Sequence, residues 1–185
     1  MEIIIKDTKL LFIYRLMPFN IVKFKTNKKE YQKIVKFLNI KNKRKRIEYI
    51  YDEAIKEIDK YYPKDLCDFK DGRCIYQRYL KTDRVNGCCR SCHLSTDKGC
   101  PTTNLPCKII YCSYINKKIK PLKYKDINIL KCLSLKQQLI LKGNFYSTRE
   151  EIINDLHYGF IYSCIHEIKK DFRIFLHLQK MKKYK

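Results

Sequence analysis

"KKEYQKIVKFLNIKNKRKRIEYIYDEAIKEIDKYY", residues 28–62, reads as two helices and sets the expectation of a mostly helical chain. Ile34, Val35, Phe37 and Leu38 give one short apolar face, while Ile47, Ile50, Tyr51, Ala54, Ile55 and Ile58 recur at three- and four-residue steps and give a longer one. The run KNKRKR, Lys41 to Arg46, joins the two, and Pro63 stops the second because its ring cannot continue the hydrogen-bond ladder. Asp52, Glu53 and Glu57 share a face of that helix, as do Glu150 and Glu151 further on; both sets read as solvated surface.

The helical pattern returns after Cys112. Residues 125–142 predict one helix carrying Ile129, Leu130, Leu133, Leu135, Leu139 and Ile140, ended by Gly143 and Asn144. Ser147 with Glu150 three residues on predicts a capping box and a helix start in "STREEIINDL". A final helix of about 22 residues is expected to bury Ile161, Ile165, Ile168, Phe172 and Phe175, which alternate four- and three-residue steps. No repeat at a fixed period is visible.

Between these helices the periodicity disappears. Eight of the ten cysteines fall within 46 residues: Cys67, Cys74, Cys88, Cys89, Cys92, Cys100, Cys107 and Cys112. Glycines and prolines mark turns between them. A segment this poor in apolar periodicity needs another source of folding free energy, and a bound ion or cluster supplies one. Disulfides compete with metal for such a framework, and compartment decides between them. The N-terminus interrupts its apolar clusters with Lys6, Asp7, Lys9 and Arg15, so it has no signal-peptide core; no uncharged run approaches the roughly 20 residues that span a bilayer. The expectation is therefore a cytoplasmic chain, not a membrane protein, with reduced, metal-binding thiols.

Cys89-Arg-Ser-Cys92 has the two-residue spacing that points both sulfurs of a tight turn at one metal. A zinc ribbon would carry two such halves. The other spacings, C-x6-C twice and C-x4-C once, fit irregular cluster loops at least as well, which tilts the choice slightly from zinc to an iron–sulfur cluster. Adjacent Cys88 and Cys89 diverge in a regular backbone and do different jobs. His93 reads as a solvated neighbour of Cys92, and His157, His166 and His177 as surface or core residues without a ligand-spaced partner. Cys132 and Cys164 sit at apolar helical positions as small hydrophobes. Neither a glycine-rich phosphate loop nor hydrolytic chemistry is visible, and no catalytic residue is nominated.

The net charge of +22, from 41 Lys and Arg against 19 Asp and Glu, points to nucleic acid or another polyanion. Abundant Lys, Ile, Asn and Tyr, with no Trp, are also what an AT-rich coding sequence yields, so the charge counts for less than its size. Its sharpest focus is Lys41, Lys43, Arg44, Lys45 and Arg46, the candidate phosphate contacts.

The elements "CDFKDGRCIYQR", "NGCCRSC" and "GCPTTNLPCKIIYC" resemble those of uncharacterised cysteine-rich proteins from low-GC bacteria, which pair GCC-x2-C with a later C-x6-CK-x3-C. They are more loosely similar to a zinc- or iron-chelating cysteine-cluster domain, whose flanking order differs. The likeness covers about residues 65–115. It implies metal chelation by the eight cysteines and implies no reaction.

The expectation is thus a mostly α fold with helices packed around an irregular, metal-stabilised cysteine-rich segment. It has an N-terminal part (1–64), the cysteine-rich segment (65–115) and C-terminal helices completing one domain (116–185). The function expected is metal binding. A nucleic-acid-binding module with structural zinc is the alternative, an iron–sulfur redox or sensor component a further one; no protein partner is indicated.

Overall fold

The helix expected around Ile47–Ile58 is the spine of the molecule. The structure, a computed structural model, describes residues 1–7, 9, 11–17, 21–62, 66–71, 73–80, 92–94, 96 and 104–183. In chain order the elements are β1 (Glu2–Ile4), α1 (Leu11–Leu16), β2 (Lys23–Lys25), α2 (Gln32–Asn39), α3 (Lys43–Tyr61), α4 (Ile75–Leu80), α5 (Leu105–Ile109), α6 (Ser113–Asn116), α7 (Leu135–Gly143), α8 (Arg149–Tyr158) and α9 (Phe160–Lys183). The chain is mostly helical, as its periodicity predicts. Among the described residues, no helix is long and apolar enough to cross a membrane.

Helix α3 buries Ile47, Ile50, Tyr51, Ala54 and Ile58 and packs against α2, α5 and α8. Its carboxylates are not solvated surface, as expected, but ties between helices. Asp52 takes two hydrogen bonds from the Arg149 guanidinium, at 2.8 and 2.7 Å, and Lys33 of α2 reaches Glu53 and Glu57 at 3.1 and 3.0 Å. The basic run is likewise no linker. Asn42 caps α3, its side chain accepting from Lys45 N–H at 3.0 Å, so Lys43 to Arg46 form the first helical turn. A short parallel pair that periodicity did not announce, Ile3 opposite Phe24, is fastened to the end of α2 by the Asn39 amide, which bonds both backbone groups of Phe24.

The C-terminal half departs further from expectation. Residues 125–142 are not one helix: a 3-10 turn at Asn128–Cys132 is separated from α7 by Ser134, which forms a capping box with Gln137. Ile129, Leu130 and Leu133 are buried before the break, whereas Leu135 and Leu139 beyond it are 79% and 66% exposed. The next capping box lies one residue later than predicted, between Thr148 and Glu151; Ser147 is buried and donates to Asn144 Oδ1. Gly159, at φ +96, ends α8 in a backbone conformation that favours glycine and lets α9 fold back on it.

Helix α9 reverses the predicted polarity. Ile161, Ile165, Ile168, Phe172 and Phe175 face outward, between 51% and 78% exposed, while Ser163, Lys170 and His166 lie against the fold. The physical reason lies in α8, whose facing side chains include Asp155 and Glu151; polar partners there pull in the polar stripe of α9.

The cysteine-rich segment is not wholly without a core. Leu105 and Ile109 are 0% and 5% exposed within the same buried cluster as α3 and α8. Leu105 N–H donates to the buried Tyr51 hydroxyl at 2.9 Å, and burial pushes the Tyr51 phenol above its ordinary range. Asn104 caps α5 by accepting from Cys107 N–H and donates to the Asn144 and Ser147 carbonyls at 3.1 and 2.8 Å. Burial and capping therefore hold residues 104–109, in a segment whose lack of apolar periodicity led to the expectation that a bound ion or cluster supplies the missing folding free energy.

Candidate metal centre

Two of the predicted ligands begin from neighbouring backbone positions. Lys70 and Arg73 exchange backbone hydrogen bonds at 2.9 Å each, and Ile75 N–H donates to the Cys67 carbonyl at 2.8 Å. The chain thus doubles back between Cys67 and Cys74. Asp68 and Asp71 take left-handed conformations, φ 40 and 50, which short polar side chains tolerate best after glycine. Arg78 clamps the loop with bonds to the Asp68 carboxylate and the Arg73 carbonyl.

Cys74 occupies the position before α4: its carbonyl accepts from Arg78 N–H at 3.1 Å and its N–H donates to Gln77 Oε1 at 2.9 Å. Cys112 occupies the same position before α6, its carbonyl accepting from Asn116 N–H at 3.0 Å. The two short helices meet through rings two residues past each cysteine. Tyr76 stacks on Tyr114 at 5.5 Å, and Tyr79 lies 5.1 Å from the same ring. Lys118 closes over Tyr114 at 4.3 Å.

Cys67, Cys74, Cys107 and Cys112 are half-buried, Cys92 is buried, and Cys88, Cys89 and Cys100 lie outside the described residues. Among the described residues, no three or more His, Cys, Asp or Glu side chains form a group that could hold a metal ion. The donors fit zinc or iron chemically, since half-buried thiols offer soft ligands with restricted access to water. Of the two cysteines read as small hydrophobes, Cys132 is buried as expected and Cys164 is exposed on α9.

A buried polar layer between α8 and α9 escaped the sequence reading. Asp155 is fully buried; its Oδ2 accepts from Asn144 Nδ2 and lies 2.7 Å from His166 Nδ1. Glu151 Oε2 accepts from Thr148 N–H at 2.8 Å, and Oε1 accepts from Arg173 Nη1 at 2.8 Å and lies 3.4 Å from His166 Nε2. Burial alone would raise the Glu151 pKa, but the Thr148 N–H, the Arg173 guanidinium and His166 outweigh it and hold it at about 2. His93 is near Arg173 and Glu151, and both of its ring nitrogens are buried without a partner among the described residues. Burial, then the Arg173 charge, pushes the His93 pKa down. The spacing Glu151, Asp155 on α8 and His166, Arg173 on α9 was the available signal: four polar groups at helical steps on two adjacent helices.

The candidate phosphate contacts divide. Lys41 and Lys45 are exposed. Lys43 Nζ donates to the His157 carbonyl at 2.7 Å. Arg44 pairs with Glu48 at 3.1 Å, donates to Asn154 Oδ1 at 2.7 Å and pairs with Glu150. Arg46 is half-buried and lines a cavity. The five cations are thus not one open patch. The chain matches no family model, no curated protein and no solved structure.

Proposed function

We propose that this chain is a metal-binding cysteine-cluster protein whose thiolates, drawn from Cys67, Cys74, Cys88, Cys89, Cys92, Cys100, Cys107 and Cys112, hold an iron–sulfur cluster or zinc. The observation that carries the reading is the doubling back of the chain between Cys67 and Cys74 beside the Cys112-capped helix, with Tyr76 and Tyr79 against Tyr114. That arrangement starts Cys67, Cys74 and Cys112 from segments that meet through Tyr76, Tyr79 and Tyr114. Bound metal would supply the cross-link that joins residues 66–80 to the rest, and an iron–sulfur cluster would add an electron site. The protein's own contribution is to start Cys74 and Cys112 from the positions just before two short helices that meet through tyrosine rings.

Cysteine-to-serine variants test the assignment. Cys74→Ser and Cys112→Ser should each lower metal content severalfold, whereas Cys132→Ser and Cys164→Ser should leave it unchanged. Equal losses in all four variants would remove the reading.

A further inference from the structure

The outward stripe of α9 has the period of a contact with another helix. Ile161, Ile165, Ile168, Phe172 and Phe175 are 78%, 51%, 72%, 61% and 54% exposed. Their steps of four, three, four and three residues average 3.5, the interval at which one helix keeps the same face toward another laid along it. The row runs about 21 Å at 1.5 Å per residue. With Tyr162 and Leu176 beside it, 43% and 44% exposed, it offers on the order of 800 Å², which is what one partner contributes to a stable interface of standard size. A contiguous apolar surface this large marks a contact site.

The borders of the row select the occupant. Tyr162, Lys169 and Leu176 flank it on one side, Cys164, Asp171 and Leu178 on the other. One cation and one anion leave these borders without net charge in a chain of +22. An anionic membrane would be met there by several lysines or arginines, yet Lys170 and Arg173 of α9 belong to the stripe turned toward the fold, where they pair with Glu167 and Glu151. An apolar row with neutral borders is instead the make-up of the centre of a protein interface. A second α9 matches it in period, length and lack of charge, and a two-fold axis lets each row cover the other. We propose that two copies of this chain associate through the outer faces of their α9 helices. Fifteen residues from Ile161 to Phe175 are marginal for a pair of free peptides, but each α9 is already formed against α8, so association does not have to order it. The proposed metal centre plays no part in this contact.

Sedimentation equilibrium of the full chain is the test, with reductant present so that exposed Cys164 forms no disulfide. Dimer should dominate at about 100 μM chain, and the dissociation constant should fall severalfold as salt rises from about 0.05 to 0.5 M, because screening weakens the repulsion between two +22 chains. Ile168→Gln and Phe172→Gln should each weaken association about tenfold or more, since a substitution at a two-fold seam is made twice. The dilute, monomeric chain does not use the row, so both variants should keep its helical circular dichroism and melting unchanged. Ile21→Gln, which removes a side chain 68% exposed before β2, should leave association as it is. A chain that stays monomeric at about 100 μM in either salt would overturn the proposal. So would a dimer that Ile168→Gln and Phe172→Gln leave as tight as before. Binding of monomer to vesicles of phosphatidylserine and phosphatidylcholine, lost in both variants, would assign the row to a membrane and overturn it as well.

Discussion

Glu151 shows how much one side chain can do that its sequence context hides. It closes the capping box of α8, pairs with Arg173 of α9 and faces His166, and these contacts set its carboxyl at about 2. The folded value lies below the ordinary carboxylate value of 4.5, so its contribution is fully present above pH 4.5 and is lost as pH falls toward 2. By linkage this is worth about 3 kcal/mol at most, and less where water reaches the pair. Glu151→Gln should lower stability at pH 7, and the gap between variant and parent should close between pH 4.5 and 2 in denaturant titrations. A gap that persists unchanged at pH 2 would show that the lost carboxylate is not the cause. Arg44 makes a second case at this scale: Arg44→Gln should cost about 1 kcal/mol of stability, since it loses Glu48, Asn154 and Glu150, whereas Lys45→Gln should cost nothing measurable by thermal melts.

Helices α8 and α9 carry the contrast at the scale of elements. Ile152 and Ile153 of α8 are fully buried, while the five-residue stripe of α9 faces outward. Ile152→Ala should therefore cost about 2–5 kcal/mol by transfer and cavity terms, and Phe172→Gln should stay within about 0.5 kcal/mol, both read from chemical denaturation. A comparable loss in Phe172→Gln would mean that the outward stripe is packed after all. The same pair marks what was legible in sequence. Three- and four-residue steps located α2, α3 and α9, because helix periodicity is a local property, and a capping signal located α8 to within one residue. Periodicity cannot say which of two candidate stripes turns inward. On α9 the inward stripe, Ser163, His166, Lys170 and Arg173, was chosen by Asp155 and Glu151 on another helix. The Ser134 break went unread for a related reason: apolar residues on both sides disguise a cap. The cysteines were legible as a cluster in sequence, but which of them start from adjacent backbone positions depends on the Lys70–Arg73 exchange and on rings brought together from α4 and α6.

At the scale of the whole molecule, one buried cluster runs from Ile5 and Phe24 through α3 to Leu156 and takes in Leu105 and Ile109. The cysteine-rich segment is thereby split: residues 104–109 belong to the core, and the described part of residues 66–80 has no buried side chain, Leu66 alone packing partly buried against the core cluster. Metal removal should consequently expose 66–80 to protease while Leu105–Ile109 stays protected, as peptide mapping would show; uniform protection of both would argue that metal holds neither. The central claim, that the thiols bind metal, is tested most directly by iron, sulfide and zinc analysis of the full chain purified without oxygen, read with its absorbance at about 400 nm. The account predicts tightly held metal in stoichiometric amount, with absorbance and acid-labile sulfide if it is a cluster and neither if it is zinc. A fully folded chain carrying no iron and no zinc would contradict it.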